Sequence, residues 1–239
     1  MTSRLSVAGR SKVTVLWESG RIVVQPAPRS PSGLRGVSER AEYRKATVEE
    51  TGFSRARTTM TDYAVANHLD AFIDLTYANQ PDSPDDAQHE MDKFLKRFRR
   101  RCPGEPWVAV LHRGGRNGRL HHHMLMSATI PRHVINDTWG NGYIRRGLRP
   151  TVDEIRASAH YMARGSQLPA TERPSLRRYR ISAHGIRPSR TTFNVATADV
   201  DTFTEQLTGG RNIHRWYATN DQPWFDWVGY FTPDTYQNL

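Results

Sequence analysis

The chain has 239 residues, a formal net charge of +10 and 37% hydrophobic residues, which suits one large domain with appendages and a modest core. It lacks an apolar run of about 20 residues, so a membrane-spanning helix is not expected, and its single cysteine, Cys102, excludes a disulfide framework and a cysteine-based zinc site. Most of the basic excess is arginine, which grips phosphates, so nucleic acid is the favoured partner and a merely basic surface is the alternative.

Residues 1–40 are predicted to form a β-hairpin followed by a basic linker. Lys12–Trp17 and Arg21–Gln25 are rich in β-forming residues and flank a short turn signal. Pro26–Ser38 is rich in Pro, Ser, Gly and Arg, which is typical of a linker, of an arm against a DNA backbone or of an unstructured leader. Because the first ten residues lack an apolar signal core, a cytoplasmic location is expected.

Residues 41–195 combine helical and strand patterns, which together predict an α+β fold with an antiparallel sheet and flanking helices. Ala71–Tyr77 is predicted to be a buried strand. Ser83 is placed to cap the helix that follows, which begins at Pro84 and ends near Arg100. The other helices are predicted over Glu39–Thr51, Arg55–Leu69, Pro131–Thr138 and Thr151–Arg164, and a short basic strand over Tyr143–Arg149.

Three successive histidines lead into an apolar run within Gly118–Met126. Side chains alternate between the faces of a strand, so His121 and His123 lie on one face and His122 lies on the other. Two imidazoles on one face can bind a single divalent ion. An exposed cluster with incidental metal affinity is the alternative for this pair, and a place in the core is favoured for His122.

The strand before this motif is predicted at Trp107–His112, and a glycine-rich basic turn connects the two strands. Asn117-Gly118 is the usual signal of a two-residue hairpin loop. With these two residues as the turn, positions that sum to 235 pair across the strands, since 117 + 118 = 235. His112 would then lie opposite His123, as a third metal ligand or as an ordinary strand histidine.

Thr151–Arg164 is predicted to be a helix that carries polar groups on one face. Thr151 caps it, and Glu154 and Tyr161 are seven residues apart, so they lie on the same face. Arg164 follows Tyr161 by three residues. Glu154 is interpreted as a helix cap, with a catalytic base as the alternative, because two helical turns separate it from Tyr161 by about 10.5 Å.

The C-terminal part is rich in charged and aromatic residues. Residues 166–191 are predicted to be an arginine-rich loop that contains Tyr179. Residues 196–239 are predicted to be an extension that begins with a short helix over Asp199–Leu207. Its aromatic side chains are suited to stacking on unpaired bases or, alternatively, to packing as a small core.

Four segments in order resemble the rolling-circle replication initiators of the HUH endonuclease superfamily, found in bacterial plasmids and small single-stranded DNA phages. Gly52–Arg57 resembles the family's lead-in, and Phe72–Tyr77 resembles its first motif, Phe-x-Thr-Leu-Thr-Tyr. Gly118–His123 resembles its metal-binding motif, and His160–Gly165 resembles its Tyr-x-x-Lys helix. The likeness extends over about residues 52–190 and implies an HUH/RRM-like sheet.

The resemblance implies a metal site at His121 and His123, with His112 best placed as the third ligand, and Mg²⁺ or Mn²⁺ as the ion. It implies Tyr161 as the nucleophile, with Tyr179 as a competitor, and Arg164 where the family has lysine. Arginine keeps the charge of lysine but has a different geometry.

The implied function is nicking and rejoining of a replication origin, in single-stranded or hairpin DNA, through a covalent 5′-phosphotyrosine. The alternatives are a conjugative relaxase or transposase with the same chemistry, a non-catalytic nucleic-acid-binding module, and a metal-storage or sensing protein. The sequence contains no GxxxxGK[ST] motif, so a host helicase and polymerase are expected partners. The expected DNA contacts are Arg113, Arg116, Arg119, Arg177, Arg178, Arg180 and Arg187.

Overall fold

A computed structural model describes the chain at residues 10–26, 54–114, 118–165, 179–217 and 227–234. These residues form an α+β fold with two antiparallel five-stranded sheets and flanking helices, which confirms the predicted fold class. Among the helices of the described part, none has the length and apolar character needed to cross a membrane. The helix predicted over Glu39–Thr51 lies outside the described residues.

The chain divides into two compact units, residues 1–40 with 188–239 and residues 41–187. The elements of the first unit are β1 (Arg10–Leu16), β2 (Arg21–Pro26), β8 (Arg190–Ala196), a 3₁₀ turn (Thr197–Asp199), α5 (Val200–Leu207), β9 (His214–Tyr217) and β10 (Trp227–Tyr230). Its sheet has the strand order β8-β1-β2-β10-β9. Val13, Val15, Ile22, Val24 and Phe231 are buried in its core.

This sheet joins segments that the sequence pattern assigned to three separate regions. The expected domain 41–195 contained β8, but β8 pairs with β1 along its whole length, and β10 pairs with β2. The physical reason is that an isolated two-stranded hairpin cannot bury its apolar face, whereas added strands and a helix can. Phe231 of the predicted C-terminal extension is buried in this core, as in the packing alternative.

The second unit begins with helix α1, which covers residues 54–66. Its other elements are β3 (Ala71–Thr76), α2 (Pro84–Arg101), β4 (Trp107–Arg113), β5 (Leu120–Met126), α3 (Arg132–Trp139), β6 (Ile144–Leu148), α4 (Val152–Gly165) and β7 (Arg180–Ile181). The sheet of this unit has the strand order β6-β3-β5-β4-β7.

The two faces of the second sheet differ because successive side chains alternate. One face carries residues such as Ile73, Leu111 and Met124, which form the main core with α2 and α3. The opposite face packs against α4, whose buried Ile155 and Met162 lie on its inner side. Every second residue of β3, β4 and β5 therefore points to the α4 side, and that side carries the polar groups described below.

The helix ends predicted from the sequence are present. The Ser83 hydroxyl accepts a hydrogen bond from the Asp86 amide at 3.1 Å at the start of α2. At the start of α4, the Thr151 hydroxyl accepts from the Glu154 amide at 3.2 Å, while the Glu154 carboxylate accepts from the Thr151 amide at 3.1 Å. This reciprocal pair is a capping box, so Glu154 caps the helix.

The hairpin between β4 and β5 has a different register from the predicted one. His112 lies opposite His121, and paired positions sum to 233, since 112 + 121 = 233. The Gly114 amide donates to the Arg119 carbonyl at 2.9 Å, so pairing continues beyond β4 and four residues make the turn. Gly118 takes a φ of +60°, which favours glycine in this larger loop. The two-residue turn prediction is therefore wrong.

Candidate active site

Three imidazoles meet on the α4 side of the second sheet. His112 of β4 lies opposite His121 of β5, and His123 is two residues further along β5 on the same face. The three ring centroids are 4.7–4.8 Å apart. One ring nitrogen from each side chain lies within 4.8 Å of the others, so the three predicted ligands do come together.

The hydrogen bonds of this three-histidine cluster direct free lone pairs inward. His123 Nδ1 lies 2.6 Å from the Asp74 carboxylate, and His121 Nδ1 lies 3.1 Å from the Arg119 carbonyl. Each Nδ1 therefore carries the hydrogen and donates it, which leaves an acceptor lone pair on each Nε2.

The two Nε2 atoms are 3.3 Å apart, and His112 Nδ1 is 2.9 Å from His121 Nε2. Ligands at about 2.0–2.1 Å from one cation would stand about 3.0–3.4 Å apart in tetrahedral or octahedral geometry. The donor set therefore fits a divalent cation.

Burial keeps these imidazoles in the form that binds metal. Burial, with a smaller contribution from the neighbouring imidazoles, lowers the pKa of His112 to about 4. Burial also lowers the pKa of His121. Both rings are consequently neutral at pH 7, and a neutral imidazole is the form that coordinates a cation.

Tyr161 of α4 lies beside the three-histidine cluster. Its ring centroid is 5.3 Å from that of His123 and 6.1 Å from that of His112. Phe72 of β3 contacts it edge to face at 6.1 Å. The side chain is 51% exposed, so it can reach a substrate in solvent. The structure thus brings the predicted nucleophile and the predicted ligands together.

Arg164 follows Tyr161 by one helical turn and is exposed. Its charge acts on His160, the residue before Tyr161. Burial, followed by the charges of Arg57, Arg164 and Arg156, lowers the pKa of His160 to about 4. A group of cations thus surrounds the outer end of α4, and the role of Arg164 stays a prediction.

The site includes one residue that sequence analysis missed, the carboxylate of Asp74. It stands where the family's first motif has threonine, and β3 pairs with β5 so that Asp74 lies opposite His123. A carboxylate on the outer nitrogen of a histidine ligand fixes its tautomer and raises its basicity. The signal available was Asp74 on the strand next to the histidine motif, but the pairing of those strands was needed to use it.

His122 belongs to the opposite face and to the core, as expected. Its Nε2 lies 2.7 Å from the Tyr77 hydroxyl and 3.2 Å from the Ala87 carbonyl of α2. Complete burial lowers the pKa of His122 to about 3, so the ring is neutral. This side chain ties β5 to α2 and β3 beneath the three-histidine cluster.

The predicted DNA-binding arginines are spread over different surfaces. Arg113 and Arg119 are exposed at the loop beside the histidine motif. Arg180 pairs with Asp92 of α2, on the side of the sheet opposite α4. Arg187 stacks on the Tyr63 ring and donates to a backbone carbonyl. The other predicted contacts, Arg116, Arg177 and Arg178, lie outside the described residues.

A family model described as replication-associated protein ORF2 matches residues 70–166. The matched segment begins one residue before β3 and ends one residue beyond α4, so it includes the three histidines, Asp74 and Tyr161. The match supports a part in replication for the unit that carries this site. No curated protein matches the chain.

Proposed function

We propose that the chain is a site-specific DNA nicking and joining enzyme of the HUH type that starts rolling-circle replication. The observation that carries the proposal is the position of Tyr161, whose ring lies 5.3 Å from the ring of His123 in a cluster of three potential metal ligands. The match of residues 70–166 to the replication-associated family model gives independent support.

Tyr161 is the proposed nucleophile. Its phenolic oxygen attacks the phosphorus of the scissile phosphodiester, and the bond to the 3′-oxygen breaks. The chain then holds a 5′-phosphotyrosine, and the departing 3′-oxygen takes up a proton to become a hydroxyl. Since one phosphoester replaces another, attack by a 3′-hydroxyl reverses the step and rejoins the strand. Arg164, one turn from Tyr161, is proposed to hold the phosphate or the developing phenolate.

His112, His121 and His123 are the proposed ligands of a divalent ion, and Asp74 orients His123. When bound, Mg²⁺ or Mn²⁺ supplies a positive charge that polarises the scissile phosphate. Imidazole ligands suit Mn²⁺ better than Mg²⁺, which prefers oxygen, so tighter binding of Mn²⁺ in vitro is part of the proposal.

The proposed substrate is origin DNA in single-stranded or hairpin form, reached in the cytoplasm. Arg113 and Arg119 flank the histidine motif and are proposed to contact phosphates, as are Arg116, Arg177, Arg178, Arg180 and Arg187. Unwinding and synthesis would require a host helicase and polymerase.

The test uses the full chain, Mn²⁺ and end-labelled single-stranded oligonucleotides of randomised sequence, analysed on a denaturing gel. Wild type and Tyr179→Phe are expected to nick the DNA and retain it covalently. Tyr161→Phe is expected to bind the DNA with unchanged affinity but to produce no nick. If wild type binds without nicking at any metal concentration, or if Tyr161→Phe nicks normally, the enzyme proposal is wrong and a non-catalytic binding module is left.

A further inference from the structure

Two side chains at one edge of the second sheet lie on the same face as the three-histidine cluster. β3 pairs with β6 so that Asp74 lies opposite Arg145. The Thr76 amide donates to the Tyr143 carbonyl at 3.0 Å, which continues that register by one residue pair. Directly opposite residues of antiparallel strands share a face. Since Asp74 contacts His123, Arg145 and Tyr143 also belong to the α4 side.

Cross-strand pairing arranges this face in two adjacent rows. Strands in a sheet are about 4.8 Å apart, so Tyr143 stands two strands, or about 10 Å, from His121. Arg145 stands at the same distance from His123. The first row is Tyr143, Thr76, His121 and His112, and the second is Arg145, Asp74 and His123.

Tyr143 presents an aromatic ring to solvent from a fixed backbone position. Its side chain is 66% exposed. The Thr76 hydroxyl donates to the Tyr143 carbonyl at 2.9 Å. The residue before it is a glycine, and a Cβ on Gly142 would lie 2.4 Å from the Thr76 carbonyl oxygen, so the loop is pressed against the end of β3. A held, exposed ring is a platform on which a nucleobase can stack.

Arg145 is exposed and makes no ion pair with a carboxylate in the described part of the chain. The nearest acid by register is Asp74, whose carboxylate is hydrogen-bonded to His123 instead. The next arginine, Arg146, points to the other face and donates to the Ala128 carbonyl. Arg145 is therefore the cation of β6 that is available to a phosphate on the α4 side.

We propose that Tyr143 and Arg145 form a subsite for a nucleotide close to the scissile phosphate, with the base stacked on Tyr143 and its phosphate held by Arg145. The proposal rests on the proposed function, because it takes single-stranded DNA as the ligand. It assigns edge strand β6 the task of fixing the position of the strand relative to Tyr161. Tyr143 and Arg145 are positioning residues, and neither touches the reacting atoms.

The test measures binding of the full chain to two labelled probes by fluorescence anisotropy. One probe is a 20-mer of thymidylate, and the other is an abasic 20-mer with the same phosphates and no bases. Tyr143→Ala is expected to weaken thymidylate binding about tenfold and to leave abasic binding unchanged, because only stacking is lost. Arg145→Ala is expected to weaken both and to lower the salt slope by about 0.7.

The chain provides matched controls for both changes. Leu148→Ala removes an exposed apolar side chain from the other face of β6, and Arg100→Ala removes an exposed arginine from α2. Both are expected to bind like wild type. Tyr143→Phe is expected to retain binding, whereas Tyr143→Leu keeps bulk but loses the aromatic face and is expected to behave like Tyr143→Ala. If Tyr143→Ala and Tyr143→Leu bind thymidylate like wild type, the subsite is wrong.

This result is separate from the fate of the proposed function. A chain that never nicks but shows the predicted loss in Tyr143→Ala would retain the subsite as part of a binding module. A chain that nicks through Tyr161 while Tyr143→Ala and Arg145→Ala bind and cleave normally would retain the enzyme and overturn the subsite.

Discussion

At the scale of single residues, Asp74 determines which nitrogen of His123 is available as a ligand. Its carboxylate accepts from His123 Nδ1 at 2.6 Å, so the lone pair of Nε2 points toward the cluster. The Arg119 carbonyl does the same for His121. Without these acceptors each imidazole could adopt either tautomer and rotate, and the donor set would lose its arrangement.

Asp74→Asn is predicted to weaken Mn²⁺ binding about 10- to 100-fold, because an amide is a poorer acceptor and does not raise the basicity of His123. Isothermal titration of the purified chain with MnCl₂ measures the dissociation constant. Asp82→Asn, which alters an exposed carboxylate in a loop, is the control and is expected to bind like wild type. Equal affinities for Asp74→Asn and wild type would contradict the role given to Asp74.

His160→Gln is predicted to make the chain less sensitive to acid. The pKa of His160 is lowered to about 4 by burial and by Arg57, Arg164 and Arg156, so as pH falls below 6.5 the unfolded chain binds a proton that the folded chain rejects. Stability is therefore lost between pH 6.5 and about 4 and is constant below that range. One such group changes the slope by at most about 1.4 kcal/mol per pH unit, and less here because the ring is partly solvated.

Urea unfolding at pH 7 and pH 4.5 measures this effect as a difference in the free energy of unfolding. His133→Gln changes an exposed histidine of α3 and is the control, expected to follow wild type. If His160→Gln loses as much stability as wild type over this range, His160 is not the group that resists protonation.

The residue scale also shows what a sequence can and cannot provide. The shared face of His121 and His123 follows from strand alternation, and the structure agrees. The carboxylate at Asp74 could not be assigned because its partner is 49 positions away. Its function depends on which strand lies beside β5, and no local pattern contains that information.

At the scale of elements, helix α4 determines where Tyr161 lies. Its inner side buries Ile155, Ala159 and Met162, which orients the helix on the sheet and leaves Tyr161 at the edge of the contact, beside His123. A capping box between Thr151 and Glu154 fixes its first turn.

Thr151→Ala is predicted to lower the free energy of unfolding by about 1 kcal/mol, because the Glu154 amide loses its capping acceptor. Chemical denaturation measures the change. Glu154→Gln is expected to cost less, since an amide can still accept from the Thr151 amide, and to leave the rate of DNA nicking unchanged. A loss of nicking in Glu154→Gln with intact stability would favour Glu154 as a catalytic base and contradict its role as a cap.

Elements with strong local signals match their predictions, and the hairpin loop does not. α2 begins after Ser83 and at Pro84, as the sequence indicates, because a cap and a proline act within one turn. The β4–β5 loop was predicted from Asn117-Gly118, but the strand pairing continues to Gly114 and Arg119. The three imidazoles still meet, because His112, His121 and His123 keep the same face in either register.

At the scale of the whole molecule, each compact unit has its own sheet and its own core. Ile22 is buried in one core and Ile73 in the other. Units with separate cores are able to unfold in separate steps.

Thermal unfolding is predicted to show two transitions. Ile22→Ala should lower one and Ile73→Ala the other, each by about 2–5 kcal/mol, because each substitution leaves a cavity in one core. Differential scanning calorimetry measures both midpoints. A single transition that shifts equally in both variants would contradict independent units.

The pairing of the first sheet is the part of the fold furthest from the sequence pattern. β1 pairs with β8, and Val13 lies opposite Phe193, 180 positions away. The strand β8 has an ordinary alternating pattern that suits either sheet. Its partner is decided by which sheet gains apolar contacts, and this is a property of the assembled unit.

The central claim is that Tyr161 becomes covalently linked to DNA, and tandem mass spectrometry of the adduct tests it most directly. The full chain is incubated with Mn²⁺ and single-stranded oligonucleotides of randomised sequence, then digested with nuclease and protease. The account predicts a nucleotide phosphate on the peptide that contains Tyr161, absent from Tyr161→Phe and from metal-stripped protein. An adduct on Tyr179 or on any other residue, or nicked DNA without an adduct, would contradict it.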